Sequence, residues 1–62
     1  MTGNARFVLN LLILINHELT IPTVKGLIMD TLGVVDVEAR IILKELQEVG
    51  KIVNDRGWIK LK

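Results

Sequence analysis

The sequence predicts an α+β fold that is mostly α, with three helices followed by a C-terminal two-stranded β-hairpin. Apolar residues recur at helical spacing in three segments, about residues 4–16, 22–32 and 37–49. The spacing changes after Gly50, where two short β-type runs flank the loop Asn54-Asp55-Arg56-Gly57. We therefore expect residues 1–62 to form one domain whose hairpin occupies about residues 51–61.

Composition restricts the possible classes of protein. The chain has 62 residues, no cysteine, one histidine, 50% hydrophobic residues and a net charge of +1. A domain of this size buries only about 60% of its unfolded surface, so an aliphatic core must stabilise it. Without cysteine we expect no disulfide, no zinc site and no other metal or cofactor. One histidine and no glycine-rich phosphate loop offer no catalytic constellation, so we do not expect an enzyme.

The apolar segments are too short for a membrane span. The longest run, Phe7 to Ile15, is interrupted by Asn10, whereas a spanning helix needs roughly 20 apolar residues. The first residues carry one charge, Arg6, and no small-residue cleavage pattern follows. The sequence therefore predicts a cytoplasmic protein with no membrane contact.

The first predicted helix is apolar on nearly all sides. Asn4 is its candidate N-cap. Val8, Leu12 and Ile15 form one apolar stripe, and Phe7, Leu11 and Leu14 form a second stripe beside it. A three-helix domain cannot cover both stripes, so we expect the second to form a homodimer interface. Asn10 either forms a hydrogen bond between subunits or faces water.

Turn and cap residues delimit the other helices. A polar connection over 16–20 precedes Pro22, which suits a first helical turn. Gly33 suits a left-handed helix end, and Gly26 suggests close approach of a neighbouring helix. Asp36 is the candidate N-cap of the third helix, and Gly50 ends it.

The same periodicity predicts the core. In the second helix, the core stripe is Val24, Leu27, Ile28 and Leu32. In the third helix, the buried face is Ala39, Ile42, Leu43, Leu46 and Val49. In the hairpin, Trp58 either stacks on a base or packs over the core, and the apolar context favours the core.

This order of elements resembles the winged helix-turn-helix family. The most specific stretch is Leu43-Lys44-Glu45-Leu46-Gln47-Glu48-Val49-Gly50-Lys51-Ile52-Val53, which is similar to the end of a recognition helix turning into the wing. Thr20 to Gly33 resembles the second helix and glycine turn of that family. The resemblance covers about Val8 to Leu61, nearly the whole chain.

The resemblance implies double-stranded DNA as the partner, with the third helix in the major groove and the wing on the backbone or minor groove. The residues it places at the DNA are Thr23, Asp36, Val37, Arg40, Ile41, Lys44, Lys51 and Arg56. Arg40 would contact guanine or phosphate, Arg56 would act from the wing, and the two lysines and Thr23 would contact phosphate.

The charges of the third helix depart from that pattern. Residues 34–48 contain two basic and four acidic residues, a net charge of −2 that DNA phosphates would repel. Arg40 and Lys44 each have an acidic residue one turn away, so they also fit surface ion pairs. The hairpin and the chain end after it carry a net +3, and Arg56 at the loop tip is either a DNA contact or solvated.

Two functions therefore remain open from the sequence. The first is a sequence-specific DNA-binding transcriptional regulator that acts as a homodimer through the first helix, which the basic hairpin favours. The second is a winged-helix protein-interaction module that does not bind DNA. Val37 and Ile41, one turn apart on the outward face, fit a ridge that docks a protein partner.

Overall fold

Three helices and three short strands make up the computed structural model, which describes residues 1–62. In chain order the elements are α1 (Gly3–Ile15), β1 (Leu19–Thr20), α2 (Ile21–Leu32), α3 (Asp36–Glu48), β2 (Ile52–Asp55) and β3 (Trp58–Leu61). The predicted fold class, a mostly helical α+β fold with a C-terminal β-hairpin, is confirmed. None of the helices combines the length and the apolar character needed to cross a bilayer.

The sheet has one strand more than the sequence predicted. It is antiparallel with strand order β1-β3-β2. Leu19 pairs with Ile59 and Thr20 pairs with Trp58, so the connection over 16–20 is not simply a polar loop. The backbone N–H of Ile21 donates to the carbonyl of Gly57 at 3.0 Å. These bonds tie the hairpin to the N-terminus of α2.

Helix ends differ from the prediction at two caps. Thr2, not Asn4, caps α1, because its Oγ1 accepts from the N–H of Ala5 at 3.1 Å. Val35, not Asp36, is the N-cap of α3 and makes no side-chain cap bond. Asp36 is the first helical residue, and its carboxylate is used by other side chains. Gly33 ends α2 with a φ of 67°, as predicted.

Side chains from all three helices and the hairpin form one core. Its buried members are Ala5, Val8, Leu12, Val24, Ile28, Ala39, Ile42, Leu43, Leu46, Ile52 and Ile59. Leu27, predicted for the core stripe of α2, is only partly buried and lies outside this core. Two further predictions about packing are wrong. Val49 is 47% exposed, because α3 ends one residue before it. Gly26 marks no close approach, since no neighbouring atom lies within 4 Å of the position its Cβ would take.

Candidate nucleic-acid interface

Helix α3 carries five of the predicted site residues, three on its outward face and two on the adjoining flank. At 100° per residue, Val37, Ile41 and Lys44 lie opposite the buried face of this helix. Arg40, also exposed, lies on the flank that faces the sheet, one turn after Asp36. The helix therefore offers an exposed apolar ridge with cationic side chains beside it.

A shallow cleft of about 200 Å³ separates this flank of α3 from the sheet. We call it the α3 cleft, and its lining residues are Ile21, Arg40, Leu43, Lys44, Gln47 and Ile59. Gln47 was missed in the sequence interpretation. Its position two turns after Arg40 on the same flank is the signal that identifies it. Cationic and amide donors thus line a cleft whose floor is apolar.

Asp36 joins α2 to α3 through two cations. Lys25 Nζ lies 2.9 Å from Oδ1 of Asp36. Arg40 donates from Nε to Oδ2 at 2.8 Å and from Nη2 to the same oxygen. The predicted ion pair between Arg40 and Asp36 is therefore present, and Lys25 is a third member that sequence reasoning did not find. The cluster carries one positive charge in excess.

These contacts lower the pKa of the Asp36 carboxyl below its ordinary value. The hydrogen bond from Lys25 is the largest cause and that from Arg40 is the next, because both favour the charged form. A carboxyl whose pKa is lower in the folded state stabilises the protein above its unfolded pKa of about 3.9. That contribution disappears as pH falls through the folded value.

We therefore predict an acid-dependent difference between the protein and its Asp36→Ala variant. At pH near neutrality the variant should melt at a lower temperature, because both ion pairs are lost. The difference between the two melting temperatures should shrink as the pH falls through the lowered pKa of Asp36, because the carboxyl then becomes protonated in the folded state as well. Thermal unfolding followed by circular dichroism across this range measures the difference. A constant difference at all pH values would contradict the assigned role.

The acidic side chains of α3 do not all face the same way. Glu45 accepts from the backbone N–H of Thr2 at 2.7 Å and from its Oγ1 at 3.0 Å. Glu38, two turns earlier, lies on the same flank of the helix, toward α1. Lys44 forms no ion pair. Glu48 lies on the outward face one turn after Lys44, so one of the four acidic side chains of α3 shares that face with Val37, Ile41 and Lys44.

The hairpin presents fewer free cations than its sequence indicates. Lys60 Nζ lies 3.0 Å from a carboxylate oxygen of Asp55 and 3.4 Å from one of Glu18. The pKa of Lys60 is raised, chiefly by the hydrogen bond to Asp55 and then by that to Glu18. Arg56 and Lys51 are exposed and form no ion pair. They remain the free cations predicted for the wing.

The loop that carries Arg56 is held by its own backbone. Arg56 and Gly57 both have positive φ, 56° and 89°. The side chain of Asn54 stabilises this turn, since its Oδ1 accepts from the N–H of Gly57 at 2.9 Å. The tip is therefore a defined turn that projects Arg56 into solvent.

Trp58 does not pack over the core as the sequence interpretation favoured. It is 45% exposed, whereas its neighbour Ile59 is 2% exposed. Side chains alternate between the two faces of a strand, and the inward position belongs to Ile59. Trp58 instead lies on the outer face of the sheet, opposite Thr20 in β1 and Asp55 in β2.

The start of α2 lies beside the hairpin. Thr20 and Thr23 share a hydrogen bond of 2.8 Å between their hydroxyl groups. Thr20 is the N-cap of α2, and its side chain makes no cap bond. The N–H groups of the first helical turn and these hydroxyls are donors suited to a phosphate. Because Thr20 pairs with Trp58 in the sheet, Thr23 lies at the same end of the sheet as the turn that carries Arg56.

A separate apolar surface covers the outside of α1. Leu14 is 81% exposed and Phe7 is 47% exposed, while Leu11 between them is half-buried. With Asn10 these three residues line a shallow depression of about 330 Å³. We call Phe7, Leu11 and Leu14 the α1 stripe. These are the residues for which the sequence predicts a dimer interface, and that role stays a prediction.

The sequence and the fold were compared with known proteins. The chain matches no family model, no curated protein and no solved structure.

Proposed function

We propose that this protein binds double-stranded DNA as a small winged-helix transcriptional regulator, with α3 in the major groove. One observation carries the proposal: two of the four acidic side chains of α3 already have partners within the fold. Glu45 is held by Thr2, and Asp36 is held by Lys25 and Arg40. Lys44 is left unpaired beside the α3 cleft.

The dimensions of α3 suit this role. Its 13 residues give a length of about 20 Å, and the B-DNA major groove, about 12 Å wide, admits one helix. Lys51 and Arg56 would contact the flanking phosphates from the hairpin. Thr23 would do so from the start of α2.

Two copies would act together in this proposal. A single domain with a net charge of +1 offers few phosphate contacts, and each contact contributes to affinity. Pairing through the α1 stripe would double the contacts and present two recognition helices to a site with two-fold symmetry. Occupancy of such a site in a promoter would regulate transcription.

A titration of isotope-labelled protein with a mixed-sequence duplex tests the proposal directly. We expect amide signals of residues 36–44 and 54–58 to shift at low salt, and the shifts to reverse at moderate salt. An absence of shifts at low salt, where electrostatic attraction is greatest, would refute DNA binding.

The variant Lys44→Gln should bind the duplex more weakly. We expect the plot of log affinity against log salt concentration to become less steep, its negative slope shrinking in magnitude by about 0.9, because one phosphate contact is lost. Arg6→Gln is the matched control, since it removes the same charge from an exposed position on α1. Its effect on the slope should be close to zero. Equal effects of the two substitutions would mean that binding depends on net charge alone and not on this face.

A protein-interaction module is the second candidate function. It is favoured by the exposed ridge at the start of α3, where Val35, Val37 and Ile41 are 70%, 62% and 53% exposed. Such a ridge fits an apolar partner surface. The duplex titration discriminates between the candidates, since this function predicts no shifts at any salt concentration.

A further inference from the structure

We infer that Asp36 is a specificity-determining residue that positions Arg40 to contact a guanine base in the major groove. The inference rests on the proposed DNA binding and deepens it by naming the base contacted. The side chains of Asp36 and Arg40 are in direct contact. Oδ2 of Asp36 accepts from both Nε and Nη2 of Arg40, so the carboxylate occupies one edge of the guanidinium.

The other edge of the guanidinium remains available. A guanidinium has five N–H donors in a fixed plane, and the donors not bound to Asp36 lie on Nη1 and on the outer side of Nη2. The side chain of Arg40 is 66% exposed. This outer edge can donate two parallel hydrogen bonds to a pair of acceptors.

The carboxylate that holds Arg40 is itself anchored. Its other oxygen, Oδ1, lies 2.9 Å from Nζ of Lys25, which comes from α2. The side chain of Lys25 is only 23% exposed. Asp36 is thus held from two helices, and Arg40 loses less conformational freedom on binding than a free arginine would.

The negative charge beside Arg40 favours a base over a phosphate. Asp36 offsets the charge of Arg40, so a phosphate at the outer edge of the guanidinium is attracted less than it would be by a free arginine, whereas hydrogen bonds to a neutral base are kept. Among the bases, guanine alone presents two acceptors, O6 and N7, in the major groove. Adenine presents a donor beside N7, and thymine presents one acceptor and a methyl group. The donor pair of Arg40 therefore matches guanine.

The test begins with duplexes selected by the protein from a random-sequence pool at low salt. The affinity for a selected site is compared with that for the same site after one guanine is replaced by adenine. The variants are Asp36→Ala, Arg40→Lys and the double variant. Glu48→Ala is the matched control, because it removes an exposed acidic side chain of α3 that forms no ion pair.

We expect the wild-type protein to prefer one guanine by about tenfold. Asp36→Ala and Arg40→Lys should each lose this preference, and the double variant should lose no more, because Asp36 acts through Arg40. Glu48→Ala should keep the preference. Asp36→Ala and Glu48→Ala should both bind unselected DNA more tightly than the wild type, since each removes a negative charge. An amide spectrum like that of the wild type establishes that Asp36→Ala is folded.

Two results would overturn the inference while leaving DNA binding intact. The first is a guanine preference in Asp36→Ala equal to that in Glu48→Ala. The second is that the selected sites show no guanine preference, or that Arg40→Lys keeps the guanine preference of the wild type. Recovery of no duplex by the wild-type protein is a different result, since it would refute the proposed function and this inference together.

Discussion

Replacing Ile42 with alanine should remove a large share of the protein's stability, whereas the same substitution at Ile41 should leave it nearly unchanged. The two residues are adjacent in α3 and chemically identical. Ile42 is 2% exposed and belongs to the core, while Ile41 is 53% exposed on the outward face. The pair therefore separates the effect of burial from that of side-chain chemistry.

The expected size of this effect is large relative to total stability. Truncation of a buried isoleucine to alanine costs about 2–5 kcal/mol, because contacts are lost and a cavity remains. A chain of 62 residues has a total stability of only about 3–9 kcal/mol. At Ile41 the change should fall within about 0.5 kcal/mol, and alanine has the higher helix propensity.

Urea denaturation followed by circular dichroism measures both values in one experiment. The midpoint of Ile42→Ala should move far below that of the wild type, and that of Ile41→Ala should stay close to it. Equal losses would mean that the outward face of α3 is covered in solution. In that case Ile41, Val37 and Val35 would already lie in an interface, as the protein-interaction function requires.

Local rules predicted the helices well because each helix carries its own signals. Gly33 has the left-handed conformation that its position after Leu32 predicted. The buried positions of α3 followed from periodicity except at Val49, which lies beyond the helix end. The strand β1 was missed because two residues are too few for a periodic pattern, and its pairing partner lies 40 positions away in Ile59.

The orientation of Trp58 also depended on tertiary structure. Both Trp58 and Ile59 are apolar, so the sequence does not specify which of them faces inward. Strand alternation allows only one, and the register with Leu19 places Ile59 over the core. A large aromatic side chain is thereby left on the outer face of the sheet.

The electrostatics of the candidate interface were the least predictable part. The charged residues along α3 give a net charge of −2, which argues against DNA binding by this helix. In the structure, residues from other parts of the chain bind two of the four acidic side chains of α3. Lys25 of α2 reaches Asp36, and Thr2 at the start of α1 binds Glu45. A charge count along one helix cannot include partners that the fold brings to it.

If the α1 stripe is the proposed dimer interface, replacing Leu14 with glutamate should give a folded monomer. Leu14 is 81% exposed, so the substitution leaves the core intact. In a symmetric dimer both subunits carry the substitution, so its effect on the free energy of association occurs twice. Burial of one leucine contributes about 1.5–3 kcal/mol, so the dissociation constant should rise by about 100-fold or more.

Ile13→Glu is the matched control for this substitution. Ile13 precedes Leu14 in the same helix and is 52% exposed, but it points about 100° away from the α1 stripe. Substitution at Leu11 is less informative, since that side chain is half-buried and its loss would also disturb the core.

Sedimentation equilibrium over a range of concentrations distinguishes the 7.0 kDa monomer from a dimer. We expect the wild type and Ile13→Glu to dimerise and Leu14→Glu to remain monomeric. A wild type that stays monomeric at all concentrations, or a Leu14→Glu variant that still dimerises, would exclude the α1 stripe as the interface. If the stripe is the interface, Leu14→Glu should also weaken binding to a two-fold symmetric DNA site far more than to a half-site, because only the dimer places two α3 helices on one duplex.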